Sequence, residues 1–188
     1  NHRDIIAVSC GGAHTAILKN NGTVFTFGNN LDTSEALSGQ LGLGDRNTKG
    51  LIPMEISGNH TDIIAVSCGG FHTAILKNNG TVFTFGNDVN GRLGRSGYNE
   101  IPMEISGNHT DIIAVSCGNE HTAILKNNGT VFTFGRNSVG QLGHGEINDN
   151  VLTPIEIEGH TDIIAVSCGW FHTAILKNNG TVFTFGYN

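Results

Sequence analysis

Four histidines recur at one position of a repeated segment, and they are the side chains of this sequence that most invite a chemical interpretation. They are His14, His72, His121 and His172, each beginning the string His-Thr-Ala-Ile-Leu-Lys. A ring of imidazoles can hold a metal ion or move protons near neutral pH. No carboxylate that varies toward chemistry accompanies them in the segment. The pattern therefore favours a structural role, with each imidazole hydrogen-bonded to a loop carbonyl, and it predicts no metal site.

The four cysteines follow the same spacing, always within Val-Ser-Cys-Gly. They are Cys10, Cys68, Cys117 and Cys168. No two of them have the close spacing of a zinc knuckle. Equivalent positions of successive repeats usually lie too far apart for a disulfide. We therefore predict small buried thiols and a reducing compartment, either cytoplasmic or nuclear.

Charged residues give little sign of catalysis. Each repeat has one lysine and one aspartate, such as Lys19 and Asp4, that a hairpin would bring together as a weak surface ion pair. Nothing resembles a nucleophile–base pair, a phosphate-binding loop or a metal triad. The sequence predicts a non-enzymatic protein without a cofactor.

Composition narrows the class of partner. Apolar residues make up 38% of the chain and charged residues 14%, which is typical of a globular protein. The net charge of -6 argues against nucleic-acid binding. No apolar run approaches the roughly 18 residues of a membrane span.

A near-identical repeat positions all of these residues. It starts at Asp4, Asp62, Asp111 and Asp162, and each copy runs as far as the glycine at 28, 86, 135 or 186. Ile-Ile-Ala-Val-Ser-Cys, His-Thr-Ala-Ile-Leu-Lys and Thr-Val-Phe-Thr-Phe are typical of strands. The Asn-Asn-Gly between the last two predicts a hairpin.

A weaker fourth strand completes the unit, and we expect it to begin at a proline and to form the outer edge of the sheet. The three such stretches are 53–56, 102–105 and 154–157. Four antiparallel strands in about 50 residues make one blade of a β-propeller. The sequence predicts an all-β chain of about four stacked blades, approximately 1–57, 58–106, 107–158 and an incomplete 159–188.

The loop after the third strand carries a family resemblance. It reads Gly-Arg-Asn-Ser-Val-Gly-Gln-Leu-Gly-His-Gly over 135–145, and Val-Ser-Cys-Gly-x-x-His-Thr-Ala follows in the next unit. This resembles the repeat of the regulator of chromosome condensation family. The resemblance implies a seven-bladed propeller, for which four units are too few. It favours either part of a longer array or a homo-oligomer that closes the ring.

Variation between repeats falls on one face. Within the repeated segment only two adjacent positions differ, and both lie in the turn between the first two strands. On the rigid scaffold of a propeller, such loops commonly bind a partner. The candidates are the aromatic anchors Phe71, Trp170 and Phe171 with the polar residues Asn119 and Glu120. The alternatives are neutral drift of the turn, or phenylalanine side chains that plug the propeller.

We therefore expect a protein-interaction scaffold whose partner binds this variable face. The family resemblance implies a second function, guanine-nucleotide exchange on a small GTPase. Exchange would need a wedge-like loop, and only the insertion 31–38, with Asp32 and Glu35, is a candidate. The third alternative is a structural component of an assembly.

Overall fold

The computed structural model describes residues 3–30, 39–46, 48–97, 99–147 and 150–187. These residues form four antiparallel sheets, the blades, in the order of the chain. No helix within these ranges is long and apolar enough to cross a bilayer.

The first three strands of every blade have the same bounds relative to the repeat. Blade 1 contains β1 (Ile5–Cys10), β2 (His14–Lys19), β3 (Val24–Gly28) and β4 (Gly50–Glu55). Blade 2 contains β5 (Ile63–Cys68), β6 (His72–Lys77), β7 (Val82–Gly86) and β8 (Met103–Glu104), with a short 3-10 helix at Val89–Gly91. Blade 3 contains β9 (Ile112–Cys117), β10 (His121–Lys126), β11 (Val131–Gly135) and β12 (Val151–Glu156). Blade 4 contains β13 (Ile163–Cys168), β14 (His172–Lys177) and β15 (Val182–Gly186). The prediction of an all-β array of propeller blades is confirmed.

The Asn-Asn-Gly hairpins form as the sequence predicts. In blade 1 the side-chain Oδ1 of Asn21 accepts hydrogen bonds from the backbone N–H and the hydroxyl of Thr23, at 3.2 and 2.8 Å. Gly22 takes the positive φ of 78° that closes the turn. The same arrangement recurs in the other blades. Each hairpin fixes the register of its second and third strands.

The predicted lysine–aspartate ion pairs are wrong. Within the described ranges the ion pairs join arginines to glutamates instead. Asp4 has a left-handed φ of 61°, and its carbonyl accepts a hydrogen bond from Asn20 N–H at 2.9 Å. The ammonium of Lys19 lies 5.8 Å from the ring centre of Phe25, within range of a cation–π contact, and blades 2 and 3 repeat this placement.

The fourth strand differs from the prediction at its start. In blades 1 and 3 it begins before the proline, at Gly50 and Val151, so Pro53 and Pro154 lie inside the strand. In blade 2 it shrinks to the two residues of β8 after Pro102. Proline is tolerated because this strand is the outer one of its sheet, with a partner on one side only.

The hydrophobic core lies between consecutive blades. Phe85 of blade 2 is fully buried in a cluster with Leu18, Val24 and Ile56 of blade 1. Phe134 of blade 3 occupies the same place against blade 2. The Phe85 ring packs on Gly42, where an added Cβ would lie 2.8 Å from it. The second glycine of Gly-Gln-Leu-Gly is thus required, because a side chain at this position would collide with the aromatic ring of the next blade.

Several hydrogen bonds recur at each junction, by which we mean the contact between two consecutive blades, and three of them join residues of the repeated segment itself. Between blades 1 and 2, Cys68 N–H donates to Ser9 Oγ at 2.9 Å, and Ile63 N–H donates to the carbonyl of Gly22 at 3.3 Å. The third joins His14 Nε2 to Thr73 Oγ1 at 2.8 Å. The equivalent atoms form the same three bonds at the junctions of blades 2 and 3 and of blades 3 and 4.

The histidines are structural, but their partner is not the expected loop carbonyl. Thr73 Oγ1 donates its proton to the carbonyl of Gln40 at 2.9 Å, so it can only accept from His14. His14 is therefore the neutral tautomer with its proton on Nε2. The sequence could not show this because the acceptor belongs to the following repeat.

The cysteines are free thiols, as expected, but they are not equally buried. Cys68 and Cys117 are buried at junctions, Cys168 is half-buried, and Cys10 is exposed on blade 1. Burial raises the pKa of Cys68 to about 11, which keeps it protonated and unreactive. The prediction of buried thiols is wrong for Cys10, because no described residue covers it as blade 1 covers Cys68.

Candidate partner-binding face

The two variable positions of each repeat lie in the turn after the innermost strand, and they have different environments. The first position is held by Gly12, Gly70, Asn119 and Trp170. Together with the preceding Cys-Gly of each blade, these residues line one open cleft of about 290 Å³. The second position is held by Ala13, Phe71, Glu120 and Phe171, whose carbonyls each accept a hydrogen bond from the start of the loop after the third strand. The first variable position therefore lines the open cleft, whereas the second holds the loop after the third strand by a backbone hydrogen bond.

Trp170 is a largely exposed aromatic side chain of this face. Its exposed fraction is 61%, and its ring lies edge-on to that of Phe171 with the ring centres 6.2 Å apart. Phe71 and Phe171 are half-buried. The structure brings Trp170 and Phe171 together and leaves Phe71 two blades away.

Asn119 lies in the same cleft, against the neighbouring blade. Its carbonyl accepts a hydrogen bond from Gly70 N–H at 3.2 Å. Its side-chain Oδ1 packs so closely over Gly70 that an added Cβ there would lie 2.0 Å from it. That buried oxygen has no hydrogen-bond partner among the described residues. Asn119 thus contributes both to the junction and to the floor of the cleft.

Glu120 is the centre of an ion-pair cluster. Its carboxylate accepts from Arg92 of blade 2 at 3.1 Å and from Arg136 of its own blade at 2.5 Å. The Arg92 side chain is 2% exposed and that of Arg136 is 39% exposed. Sequence reasoning placed Glu120 as a contact for a partner and missed Arg92.

A sequence signal for this pair does exist. Arg92 replaces the glutamine of Gly-Gln-Leu-Gly, which is Gln40 in blade 1 and Gln141 in blade 3. In the blade that follows each glutamine, the second variable position is phenylalanine, whereas after Arg92 it is Glu120. The two substitutions therefore occur together at one junction.

A second ion pair crosses the loops of blades 1 and 2, between Arg46 and Glu100. Burial of Glu100 would raise its pKa, but hydrogen bonds from its own backbone, from Arg46 and from Asn99 outweigh that and lower it. Asp32 and Glu35, the candidates for an exchange wedge, lie outside the described residues. Among the described residues, no group of three histidine, cysteine or acidic side chains is placed to hold a metal ion.

The replacement Glu120→Gln is expected to cost about 2 kcal/mol of the free energy of unfolding, because the buried Arg92 guanidinium loses its carboxylate. Arg136→Gln removes the exposed partner and is expected to cost at most about 1 kcal/mol. Urea denaturation of the two variants measures both values.

The matched control is the double variant Arg92→Gln/Glu120→Phe, which gives this junction the glutamine–phenylalanine pair of the other two. It is expected to regain most of the stability lost in Glu120→Gln. Equal losses for Glu120→Gln and Arg136→Gln would contradict the assignment of Arg92 as the main partner.

Comparison with known proteins finds a family model and several proteins that are similar to this chain. The family model described as "Regulator of chromosome condensation (RCC1) repeat" matches residues 21–76, 79–125 and 128–176. Similar proteins include the zebrafish (Danio rerio) E3 ubiquitin-protein ligase MYCBP2, 41% identical over 92 residues, and the zebrafish Protein RCC2 homolog, 38% identical over 92 residues. These matches cover 48% and 49% of this chain but only 2% and 17% of the relatives.

Solved structures give the same result for the fold. Human WBSCR16 superposes with a TM-score of 0.83 at 25% identity, covering 97% of this chain and 47% of that one. Yeast RCC1 (Prp20), in the structure with Kap60 bound, superposes with a TM-score of 0.82 at 21% identity, covering 97% of this chain and 44% of that one. This chain therefore spans just under half of either propeller.

Proposed function

Because the chain belongs to the regulator of chromosome condensation (RCC1) repeat family, we propose that it is a protein-interaction scaffold that binds a protein partner through the variable face of its propeller. One observation carries the proposal: blades that are otherwise near-identical differ within the repeated segment only at the two positions on this face. The opposite face, with its Asn-Asn-Gly hairpins, is the same in every blade. A surface used for recognition would diverge in this way while the packing surfaces stay fixed.

The aromatic pair of blade 4 is the proposed anchor. Trp170 offers a large exposed ring beside Phe171, and tryptophan is enriched among residues that dominate binding energy. Phe71 lies on the same rim as a second, half-buried contact. Asn119 supplies a polar atom in the cleft next to Trp170. Glu120 would act mainly by holding the loops of blades 2 and 3 in place, since both arginines already pair with it.

Mutation of the aromatic pair tests the proposal. The variant Trp170→Ala/Phe171→Ala is expected to lower the amount of any partner recovered with the immobilised chain roughly tenfold or more, as loss of a hot spot would. Quantitative mass spectrometry of proteins recovered with wild type and variant measures this. The control is Asn78→Ala, an exposed change on the invariant face, which should leave recovery unchanged. Equal recovery with all three proteins would rule out binding through this face.

Nucleotide exchange on a small GTPase is a second candidate on the strength of the family. Another yeast structure similar to this chain, at 20% identity, is that of Prp20p, described together with its binding properties to Gsp1p and histones. The insertion 31–38 would have to supply the wedge. Deleting it should abolish stimulated release of labelled nucleotide from a panel of small GTPases while leaving partner recovery through Trp170 intact.

The proposal also includes a cellular compartment and a class of partner. The four free cysteines suit a reducing compartment such as the cytoplasm or nucleus. The net charge of -6 suits a protein partner better than nucleic acid. A purely structural role in an assembly is the outcome that would follow if neither the aromatic variant nor the deletion changed any binding.

A further inference from the structure

The outer strands of blades 1 and 3 are sheet edges that could pair with another chain. β4 and β12 each have six residues, and each pairs with a neighbouring strand on one side only. Their apolar side chains are largely exposed: Leu51 is 88% exposed, Ile52 69% and Leu152 64%. A long, exposed, apolar edge strand is a template for pairing between molecules. The stacking of blades does not remove this risk, because a neighbouring blade covers the face of a sheet and not its outer edge.

The hydrogen bonds of β4 show which of its backbone groups face outward. Ile56 N–H, directly after β4, donates to the carbonyl of Val24 at 3.2 Å, and Met54 is likewise paired with β3. In an antiparallel pair, alternate residues bond to the neighbouring strand, and the residues between them direct their N–H and C=O groups away from it. Pro53 and Glu55 are the residues between. Position 53 would therefore present an N–H at the open edge, and proline has none.

The same register recurs in the other two blades that have a fourth strand. The backbone N–H three residues after the proline donates to the carbonyl of the first residue of the third strand, at 3.1 Å in blade 2 and at 2.9 Å in blade 3. Pro102 and Pro154 therefore occupy the outward position that Pro53 occupies in blade 1. The chain has three prolines. All of them are at this one position of the edge.

A glutamate occupies the second outward position of each edge. Glu55, Glu104 and Glu156 follow their prolines by two residues, and all three are exposed. Like charges brought together by two pairing edges disfavour the contact. In blade 2 the edge is also short, because β8 has only two residues. Proline, charge and short length are the features by which natural edge strands avoid pairing.

We propose that Pro53 and Pro154 prevent the outer strands of blades 1 and 3 from pairing with the outer strand of a second copy of the chain. Each proline removes an outward N–H from the middle of a long apolar edge, so a second strand would leave a carbonyl without a donor there. The prolines have no role in starting these strands, since both lie inside them. The edge is separate from the proposed partner-binding face, which lies in the turns between the first and second strands.

The variant Pro53→Val restores the outward N–H of β4. Because that N–H faces solvent in the single chain, the variant is expected to keep its fold, which circular dichroism and urea denaturation check. Light scattering after size-exclusion chromatography is expected to show an association constant roughly tenfold or more above that of wild type. Hydrogen exchange at the amide of Glu55, the other outward N–H, should slow roughly tenfold or more in the multimer.

Two further variants of the same strand serve as controls. Met54→Val also introduces a β-branched residue but adds no outward N–H, and it is expected to associate no more than wild type. Pro53→Val/Glu55→Pro moves the proline to the next outward position and is expected to return association to the wild-type level. Association through any other surface is common to all of these proteins, so it cancels in the comparison.

The outcomes decide the proposal. It is supported if Pro53→Val associates more than both controls and protects the Glu55 amide. It is wrong if Pro53→Val associates no more than Met54→Val, if the double variant associates as strongly as Pro53→Val, or if the multimer leaves exchange at Glu55 unchanged. Pro154→Val repeats the test in blade 3, and loss of the fold by both proline variants would contradict the outward orientation on which the proposal rests.

Discussion

Lowering the pH from about 7 to about 5 is expected to reduce the free energy of unfolding by about 4 kcal/mol, through two buried histidines alone. Burial lowers the pKa of His14 and of His121 to about 4, against an ordinary value of 6.5. The unfolded chain therefore binds protons from about pH 6.5 downwards, while these imidazoles in the folded chain stay neutral until about pH 4. Their contribution to stability is complete above pH 6.5 and is lost as the pH falls toward 4.

The pKa values of these histidines are low because the imidazoles are buried and the hydrogen bonds of the junction select one neutral tautomer of each. Nε2 of each imidazole donates to a threonine hydroxyl of the next blade. The other ring nitrogen, Nδ1 of His14, His72 and His121, is buried and has no hydrogen-bond partner among the described residues. A second proton there would place an N–H and a positive charge where nothing accepts them. His72 acts in the same direction, since burial and then the charge of Arg92 hold its pKa well below the ordinary value.

Urea denaturation at the two pH values measures the effect. The control is His121→Gln, which keeps a donor near Thr173 but does not titrate. It is expected to be less stable than wild type at pH 7 but to lose about 2 kcal/mol less on acidification, because one of the buried histidines no longer titrates. The same acid-induced loss in both proteins would show that the histidines are not its cause.

Gly86→Ala is expected to destabilise the chain by about 4 kcal/mol, at the upper end for a single substitution. Gly86 ends β7 opposite His72, with a φ of 116° that an L residue rarely adopts. An added Cβ would lie 2.6 Å from the carbonyl oxygen of Phe71 and 2.7 Å from the Cα of His72. Both neighbours are backbone atoms, at the start of β6 and directly before it, so neither can move without disturbing the pairing of β6 and β7.

Gly159→Ala separates the two causes of this loss. Gly159 also has a positive φ, 76°, but an added Cβ there would meet nothing within 4 Å. Only the backbone strain applies, and the expected loss is about 1 kcal/mol. Thermal or urea denaturation of both variants checks the difference. Similar losses would mean that the close approach of Gly86 to Phe71 is relieved in the folded chain.

The sequence predicts the blades well because each blade is specified locally. Asn-Asn-Gly and the β-branched runs fix the first three strands, and the structure has them in every copy of the repeat. The predicted start of the fourth strand was wrong because its pairing depends on the preceding loop, which differs between blades. Pro53 lies on the outer strand of its sheet, where a missing backbone N–H costs little, so the strand does not have to begin at the proline.

The junctions were much harder to predict, since they join residues about one repeat apart. Neither the bond from His14 to Thr73 nor the pair of Arg92 and Glu120 follows from a pattern within one repeat. Similarly, the repeat predicts an aspartate close to Lys19, whereas in the folded blade the Lys19 ammonium lies over the ring of Phe25. The candidate face follows from comparing repeats. The different roles of Trp170 and Glu120 within it require the packing of blades.

The paired substitution at Arg92 and Glu120 also affects how the chain reaches its fold. Blades this similar offer one another many equivalent docking partners, and out-of-order docking is a characteristic kinetic trap of repeat proteins. If blade 2 packed against a blade with phenylalanine at the second variable position, the Arg92 guanidinium would be buried without a carboxylate. An uncompensated buried charge destabilises such a contact. Only blade 3 offers Glu120 at that place. We therefore expect the central junction to favour the native pairing of blades 2 and 3 over other pairings of these similar blades during folding.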